Sequence, residues 1–227
     1  VFEEIKKRVK EGRWEAEGSM WVEADTNVAS GEALVRQFMV GKRFFREEFG
    51  IDNKIMWLPD VFGYSAAIPQ LIKKSGMDYF MTTKISWNEY NKFPYDTFKW
   101  RGIDGTEVLS HFPPSCHVTV DERKNWQTTY NSKLRPLYVL GGYKRYSQKD
   151  LNKDYLMSYG FGDGGGGPTI EMLEYGRRME KGIQGCPVVK QSTSLDFFRD
   201  LDKKVSGNKR LPTWCGELYL VLHRGTL

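Results

Sequence analysis

Apolar and polar positions follow two rhythms along this chain. After Ser30, the residues Leu34, Val35, Phe38, Met39, Phe44, Phe45 and Phe49 recur at helical spacing. Ser30 stands where an N-cap belongs, Glu32 in the first turn and Gly50 where a left-handed stop is needed. Lys54–Leu58 is instead a compact apolar run that ends at Pro59-Asp60, which predicts a buried strand. A helix over Ala66–Ser75 follows, with Pro69 tolerated near its first turn and Gly76 at its end. Tyr79–Thr83 predicts the next strand, so strand, helix and strand make one βαβ unit. Thr97–Arg101 and Thr106–Phe112, joined through Ile103-Asp104-Gly105, predict a hairpin turning on Asp-Gly.

The same reading assigns shorter elements elsewhere. Met20–Glu23, Leu156–Tyr159 and Cys186–Lys190 read as strands, and Glu217–Leu222 as the last strand, ending at His223. Pro168 and Thr169 open a helix to Lys181, and Ser194 caps one over Leu195–Lys203. The stretch Pro113–Lys153 is polar, rich in Asn and Tyr, and reads as irregular. Apolar strands separated by amphipathic helices give the fold class α/β, with a mostly parallel sheet covered on both faces. The pattern alone does not separate an open sheet from a closed barrel.

Composition narrows the class. The 227 residues suit one domain, and 40% hydrophobic with 14% aromatic content supports a real core rather than disorder. The net charge of +5 is spread along the chain and forms no basic arm, which argues against a dedicated nucleic-acid binder. Cys116, Cys186 and Cys215 lie far apart with no C-x-x-C pair, against a zinc ribbon, a thioredoxin-type motif or a disulfide framework. That usage fits a reducing compartment and a cytoplasmic location. No apolar run reaches the ~18 residues of a membrane span, and Val1–Lys7 carries no signal-peptide pattern. The start at Val1 and the stop at Leu227, after an apolar run, read as cuts from a longer protein.

Four reactive side chains, Asp25, Asp60, Asp163 and His223, each fall just past the C-terminal end of a predicted strand, where parallel α/β folds gather ligands. Taken singly, Asp25 and Asp60 read as turn or helix-entry residues. Trp57, Phe62 and Tyr64 flank Asp60 and suit either core packing or stacking on a sugar. Asp163 lies in the run Gly162-Asp163-Gly164-Gly165-Gly166-Gly167-Pro168-Thr169, which lacks the Lys-Ser/Thr of a phosphate loop. An Asp inside such a run argues for a placed carboxylate over a plain surface loop. His223, like His111 and His117, is read first as structural, yet with Asp residues it has the chemistry to ligate a divalent metal. Two carboxylates on one rim are what glycosidic hydrolysis requires.

At these residues the sequence resembles glycoside hydrolase family 38, the α-mannosidases, most closely the cytosolic and bacterial branch. The likeness is carried by Gly18–Asn27, Ser30–Gln37, Trp57-Leu58-Pro59-Asp60-Val61-Phe62-Gly63-Tyr64-Ser65, Lys84–Pro94, Gly102-Ile103-Asp104-Gly105, His111-Phe112-Pro113-Pro114, the Asp163 glycine run and Glu217–Thr226, in the family's order. The resemblance implies a seven-stranded, barrel-like β/α catalytic domain and a retaining mechanism with one zinc ion. It makes Asp60 the nucleophile and a zinc ligand, His223 a second zinc ligand and Asp163 the acid/base. It makes Trp21, Asp25, Trp87 and Asn88 subsite residues for a mannoside or oligosaccharide.

Two departures matter. The family's first barrel strand supplies a His-x-Asp pair of zinc ligands, and none stands in this sequence; the downstream helical and β domains are likewise absent from it. The chain is therefore expected to be a single α/β catalytic domain over 1–227, incomplete at its N-terminus and inactive by itself. Ser115–Tyr155 matches the family poorly. The partners expected are a mannoside substrate and no nucleic acid or membrane, with a homo-oligomer left open. Competing readings are a metal-dependent polysaccharide deacetylase-like enzyme, which releases acetate rather than mannose, a non-catalytic carbohydrate-binding remnant, and a phosphate-binding module.

Overall fold

The computed structural model describes residues 1–88, 91–116 and 128–219. Among these the strands form one five-stranded sheet in the order β1-β2-β4-β3-β5. They are β1 (Ile55–Trp57), β2 (Tyr79–Met81), β3 (Thr97–Arg101), β4 (Glu107–His111) and β5 (Thr213–Cys215). β1, β2 and β4 run parallel, with Ile55 opposite Tyr79 and Tyr79 opposite Leu109. β3 is antiparallel to β4 and parallel to β5. The helices are α1 (Phe2–Lys10), α2 (Gly31–Phe49), α3 (Ile68–Lys74), α4 (Pro136–Arg145), α5 (Ile170–Glu180) and α6 (Ser194–Val205).

The period-two alternation of the strands divides the core between two faces. Met56, Phe80 and Val108 point to one face, where Leu34 and Phe38 of α2 and Ile68 and Ile72 of α3 cover them. Ile55, Tyr79 and Met81 point to the other, against Phe198, Leu201 and Val205 of α6. A mostly parallel sheet buried on both sides is thus observed as expected. A third cluster, Leu134, Val139, Met172 and Met179, joins α4 to α5 away from the sheet.

The capping signals hold. Ser30 Oγ accepts from the Ala33 amide, and Gly50 closes α2 at φ 70°. Thr169 caps α5. α6 begins one residue before the expected position, with Thr193 rather than Ser194 as its cap. The β3–β4 turn uses Gly105 at φ 84°, and the Asp104 carboxylate accepts from the Thr106 amide and hydroxyl.

Three expected strands are corrected, and a fourth is described only in part. Met20–Glu23 is not a strand: pairing is confined to Gly18, which bridges Met56 in parallel. The next residues are spent on α2, where the Trp21 amide donates to the Gln37 carbonyl. Leu156–Tyr159 keeps one bridge, Ser132 to Tyr159, because the Leu156 amide donates to His111 Nε2 instead. Cys186–Lys190 has no strand partner among the described residues, and Cys186 and Val189 pack on the α4–α5 cluster. Of Glu217–Leu222, residues 217–219 are described and Leu218 bridges Tyr64, while residues 220–223 lie outside the described residues; β5, just before them, is an additional strand beside β3. Helix α4 was not expected, since Gly141 and Gly142 each cost a helix interior about 1 kcal/mol. Packing overrides that cost: a Cβ on Gly142 would come within 2.7 Å of the Tyr155 hydroxyl, which donates to the Val139 carbonyl.

Gly41 is where α2 touches the segment leading to Glu23. A Cβ there would lie 2.4 Å from the Ser19 carbonyl oxygen and 2.7 Å from the Trp21 nitrogen, both backbone atoms. Gly41→Ala is therefore expected to destabilise by about 3 kcal/mol, measured by urea unfolding. Burial pushes the Glu17 carboxyl up to about 7, although the Gly18 amide donates to it. Its proton is held more tightly in the folded state. The associated stability is complete below the ordinary carboxylate range and is lost as pH rises through about 7. Glu17→Gln is expected to remove a decline of roughly 2–3 kcal/mol between pH 4.5 and 7, read from unfolding free energy against pH.

Candidate functional site

The site grows from the C-terminal ends of β1 and β2. The Leu58 amide donates to the Met81 carbonyl, and the Thr83 hydroxyl donates to the Pro59 carbonyl at 2.6 Å. These bonds hold the residues after both strands side by side. Tyr64, fully buried, ties the loop beneath them: its hydroxyl donates to the Leu58 carbonyl and bonds Thr82 Oγ1, each at 2.7 Å. Its own ionisation is pushed far up by burial. Asp60 and Lys84 consequently emerge as neighbours.

The Lys84 ammonium lies 2.8 Å from Asp60 Oδ1, with 7% of the lysine side chain and 29% of the aspartate side chain exposed. Three rings surround that ammonium. Its distances to the ring centres are 4.6 Å for Trp87, 4.9 Å for Tyr130 and 5.2 Å for Phe62. Phe62 and Trp87 meet edge to face at 5.5 Å. The Tyr130 phenol also lies near the Asp60 carboxylate. Burial, that neighbouring carboxylate and the charges of Asp163 and Glu23 push the phenol up to about 12. Glu23 accepts from the Asp60 amide at 2.9 Å. Its carboxyl is raised by burial and by the Asp60 charge, against the lowering effects of that amide bond and of Lys84.

Asp163 reaches the same neighbourhood on a closed loop. The Phe161 amide donates to the Gly167 carbonyl, and the Gly160 amide to Ser132, so residues 161–167 project as one turn. Asp163 adopts φ 58°, a conformation that Asp tolerates better than most side chains. A Cβ on Gly162 would meet Asn131 Cβ at 3.2 Å and Tyr130 at 3.6 Å, so the loop lies against Tyr130. Asp163 itself is exposed.

The other expected residues are placed as follows. Asp25 Oδ1 accepts from the Asn27 and Val28 amides at 2.8 and 3.0 Å, the turn role its residue type suggested. Trp21 is 53% exposed and packs edge to face on Phe44 of α2. Trp87 joins the ring cluster, and Asn88 Oδ1 accepts from the Asn91 amide. His223 and His117 lie outside the described residues. His111 is structural: Nε2 accepts from Leu156, so Nδ1 carries the proton to Thr97 Oγ1, and burial lowers its ionisation to about 3. No spacing in the sequence singles out Glu23, Lys84 or Tyr130. The available signal was position, since Lys84 follows β2 much as Asp60 follows β1.

Among the described residues no three His, Cys, Asp or Glu side chains converge on a metal position. The partly exposed Asp60 carboxylate fits one oxygen ligand of a zinc site, although Lys84 already engages one of its oxygens. The chain reaches this loop again at its described end. Tyr64 and Leu218 exchange backbone bonds at 2.9 Å, and a Cβ on Gly63 would lie 2.5 Å from the Tyr219 ring.

A partly exposed carboxylate beyond a strand end, with a second carboxylate on a neighbouring loop, is a pair of groups that glycoside hydrolysis could use. Residues 1–217 match the Glycosyl hydrolases family 38 N-terminal domain, and the chain belongs to that family. It is 42% identical to Alpha-mannosidase of Saccharomyces cerevisiae over 96% of its own length and 20% of the relative's. It is 43% identical to Alpha-mannosidase G of Dictyostelium discoideum and 40% to human Alpha-mannosidase 2C1, each over 100% of this chain. The chain spans 19–20% of the length of these relatives. The crystal structure of an alpha-mannosidase from Enterococcus faecalis V583 matches with TM-score 0.70 at 18% identity, over 95% of this chain and 23% of that one. That likeness speaks for the fold alone.

The two carboxylates differ in what their loss exposes. Asp60→Ala leaves a buried ammonium without its nearest counter-charge, and a stability loss of about 3 kcal/mol is expected in chemical unfolding. Asp163→Asn, on an exposed turn with the same backbone tolerance, is expected within about 0.5 kcal/mol of the parent.

Proposed function

We propose that the complete protein is a retaining, zinc-dependent α-mannosidase that hydrolyses terminal α-D-mannosyl residues of oligosaccharides in the cytoplasm. The observation that carries the reading is the partly exposed Asp60 carboxylate at the end of β1, oriented by Lys84, with Asp163 near enough for its charge to act on Tyr130. The names of the relatives set the sugar.

Asp60 attacks the anomeric carbon as the bond from that carbon to the leaving oxygen breaks, and Asp163 gives its proton to that oxygen. Asp163 then takes a proton from water, whose oxygen displaces Asp60 and releases mannose with its configuration kept. The two carboxyl groups would work about 5–5.5 Å apart across the scissile bond. Asp60 and His223 would hold the zinc, which when bound grips the sugar hydroxyls. The docking of Tyr219 on Gly63, four positions ahead of His223, supports that pairing. Trp21, Asp25 and Asn88 are assigned to the sugar subsites, and Trp87 instead faces the Lys84 ammonium. The five strands seen here are inferred to belong to a seven-stranded, barrel-like unit, of which residues 1–227 form part of one catalytic domain.

The test uses the full-length enzyme and an aryl α-mannoside. Asp60→Ala is expected to lower kcat about 1000-fold or more, and NMR of the first product is expected to show the α-anomer. A chelator is expected to abolish turnover and added zinc to restore it. Acetate release without mannose release would replace this reading by the deacetylase one.

A further inference from the structure

We propose that Lys84 is a positioning residue for the Asp60 nucleophile, and that Trp87, with Phe62 and Tyr130, serves the reaction by fixing the Lys84 ammonium. The inference rests on the assignment of Asp60 as nucleophile. It changes what the rings are for. Aromatic rings beside a catalytic carboxylate suggest stacking on a sugar, yet all three ring centres here lie within 5.2 Å of one ammonium. A lysine side chain ordinarily has freedom on four carbons. This one is 7% exposed, contacts Asp60 Oδ1 at 2.8 Å, and is confined on its other sides by aromatic surface. A cation so confined fixes one carboxylate oxygen in space. Rotation about the Asp60 side chain is thereby restricted, and Oδ2 is presented in one direction. The Glu23 carboxylate, accepting from the Asp60 amide at 2.9 Å, restrains the same residue from a further direction. A nucleophile held in this way starts from a near-attack arrangement, and small misplacement costs rate rather than substrate affinity.

The test compares Lys84→Met, Lys84→Arg and Trp87→Ala with the parent in the full-length enzyme, using an aryl α-mannoside. Folded fraction by circular dichroism and bound zinc by elemental analysis accompany kcat and KM. Lys84→Met is expected to lower kcat about 100-fold per folded molecule, with KM within about threefold and zinc content unchanged. Lys84→Arg, which keeps charge and ring contacts, is expected to recover activity to within about tenfold of the parent. Trp87→Ala is expected to lower kcat about tenfold at nearly constant KM, whereas a residue that stacks on the sugar would raise KM. If Lys84→Met does not fold, Lys84→Arg and Trp87→Ala decide the matter. Positioning is overturned by a Lys84→Met enzyme within about threefold of the parent, by a loss matched by lost zinc, or by a Trp87→Ala effect confined to KM. A parent enzyme inert toward the mannoside overturns the mannosidase reading first, and this role with it.

Discussion

Placing a lysine ammonium out of water costs several kcal/mol unless a counter-charge and polarizable surface replace the lost hydration. Lys84 meets that requirement with Asp60 on one side and three ring faces on the others. Each ring contributes on the order of 0.5–2 kcal/mol when the cation is desolvated. The arrangement therefore stands or falls together, since the rings without the carboxylate leave a buried charge uncompensated. The carboxylate without the ammonium would be free to turn into solvent.

The topology makes the pair available. In two adjacent parallel strands, both chains leave the sheet at the same edge, so a residue just past β1 and one just past β2 start close together. The Leu58 and Thr83 bonds and the Tyr64 hydroxyl extend that proximity beyond the last ladder bond. Gly63 then lets two other segments close on the loop. The Thr26 hydroxyl donates to its carbonyl, and Asn27 and Tyr219 fill the space that a Cβ would need. A tied platform results from which the Asp60 carboxylate emerges partly open.

Elements with strong local signals were legible in the sequence. The βαβ unit, the Asp104-Gly105 hairpin and the caps Ser30 and Thr169 depend on a few adjacent residues, and each appears where its residues predicted it. Asp60 was legible for the same reason, as the polar residue that ends an apolar run. Leu156–Tyr159 and Cys186–Lys190 misled because apolar runs of that length bury equally well as coil packed on helices. Helix α4 was hidden by glycines whose value lies in contact with Tyr155, far along the chain. Lys84 and Tyr130 were missed because their role arises from a meeting of three segments, which no local spacing encodes. His223 remains a carried-over assignment, outside the described residues.

The contrast between the surroundings of Asp60 and Asp163 bears on the roles proposed for them. The Asp60 carboxylate is held at 2.8 Å by the Lys84 ammonium, the kind of restraint that the proposed nucleophile needs. Asp163 sits on an exposed turn lined by glycines, and that turn lies against Asn131 and Tyr130 at Gly162. An acid that must give up a proton and later take one back cannot be held by a permanent cation, because such a partner would fix it in one state. In the free protein that turn leaves Asp163 largely to water. A sugar lying between the two carboxylates would remove that water and bring Asp163 into the environment that a proton donor needs. The proposed division of roles is consistent with these surroundings, one charge held in advance and the other left for the substrate to complete.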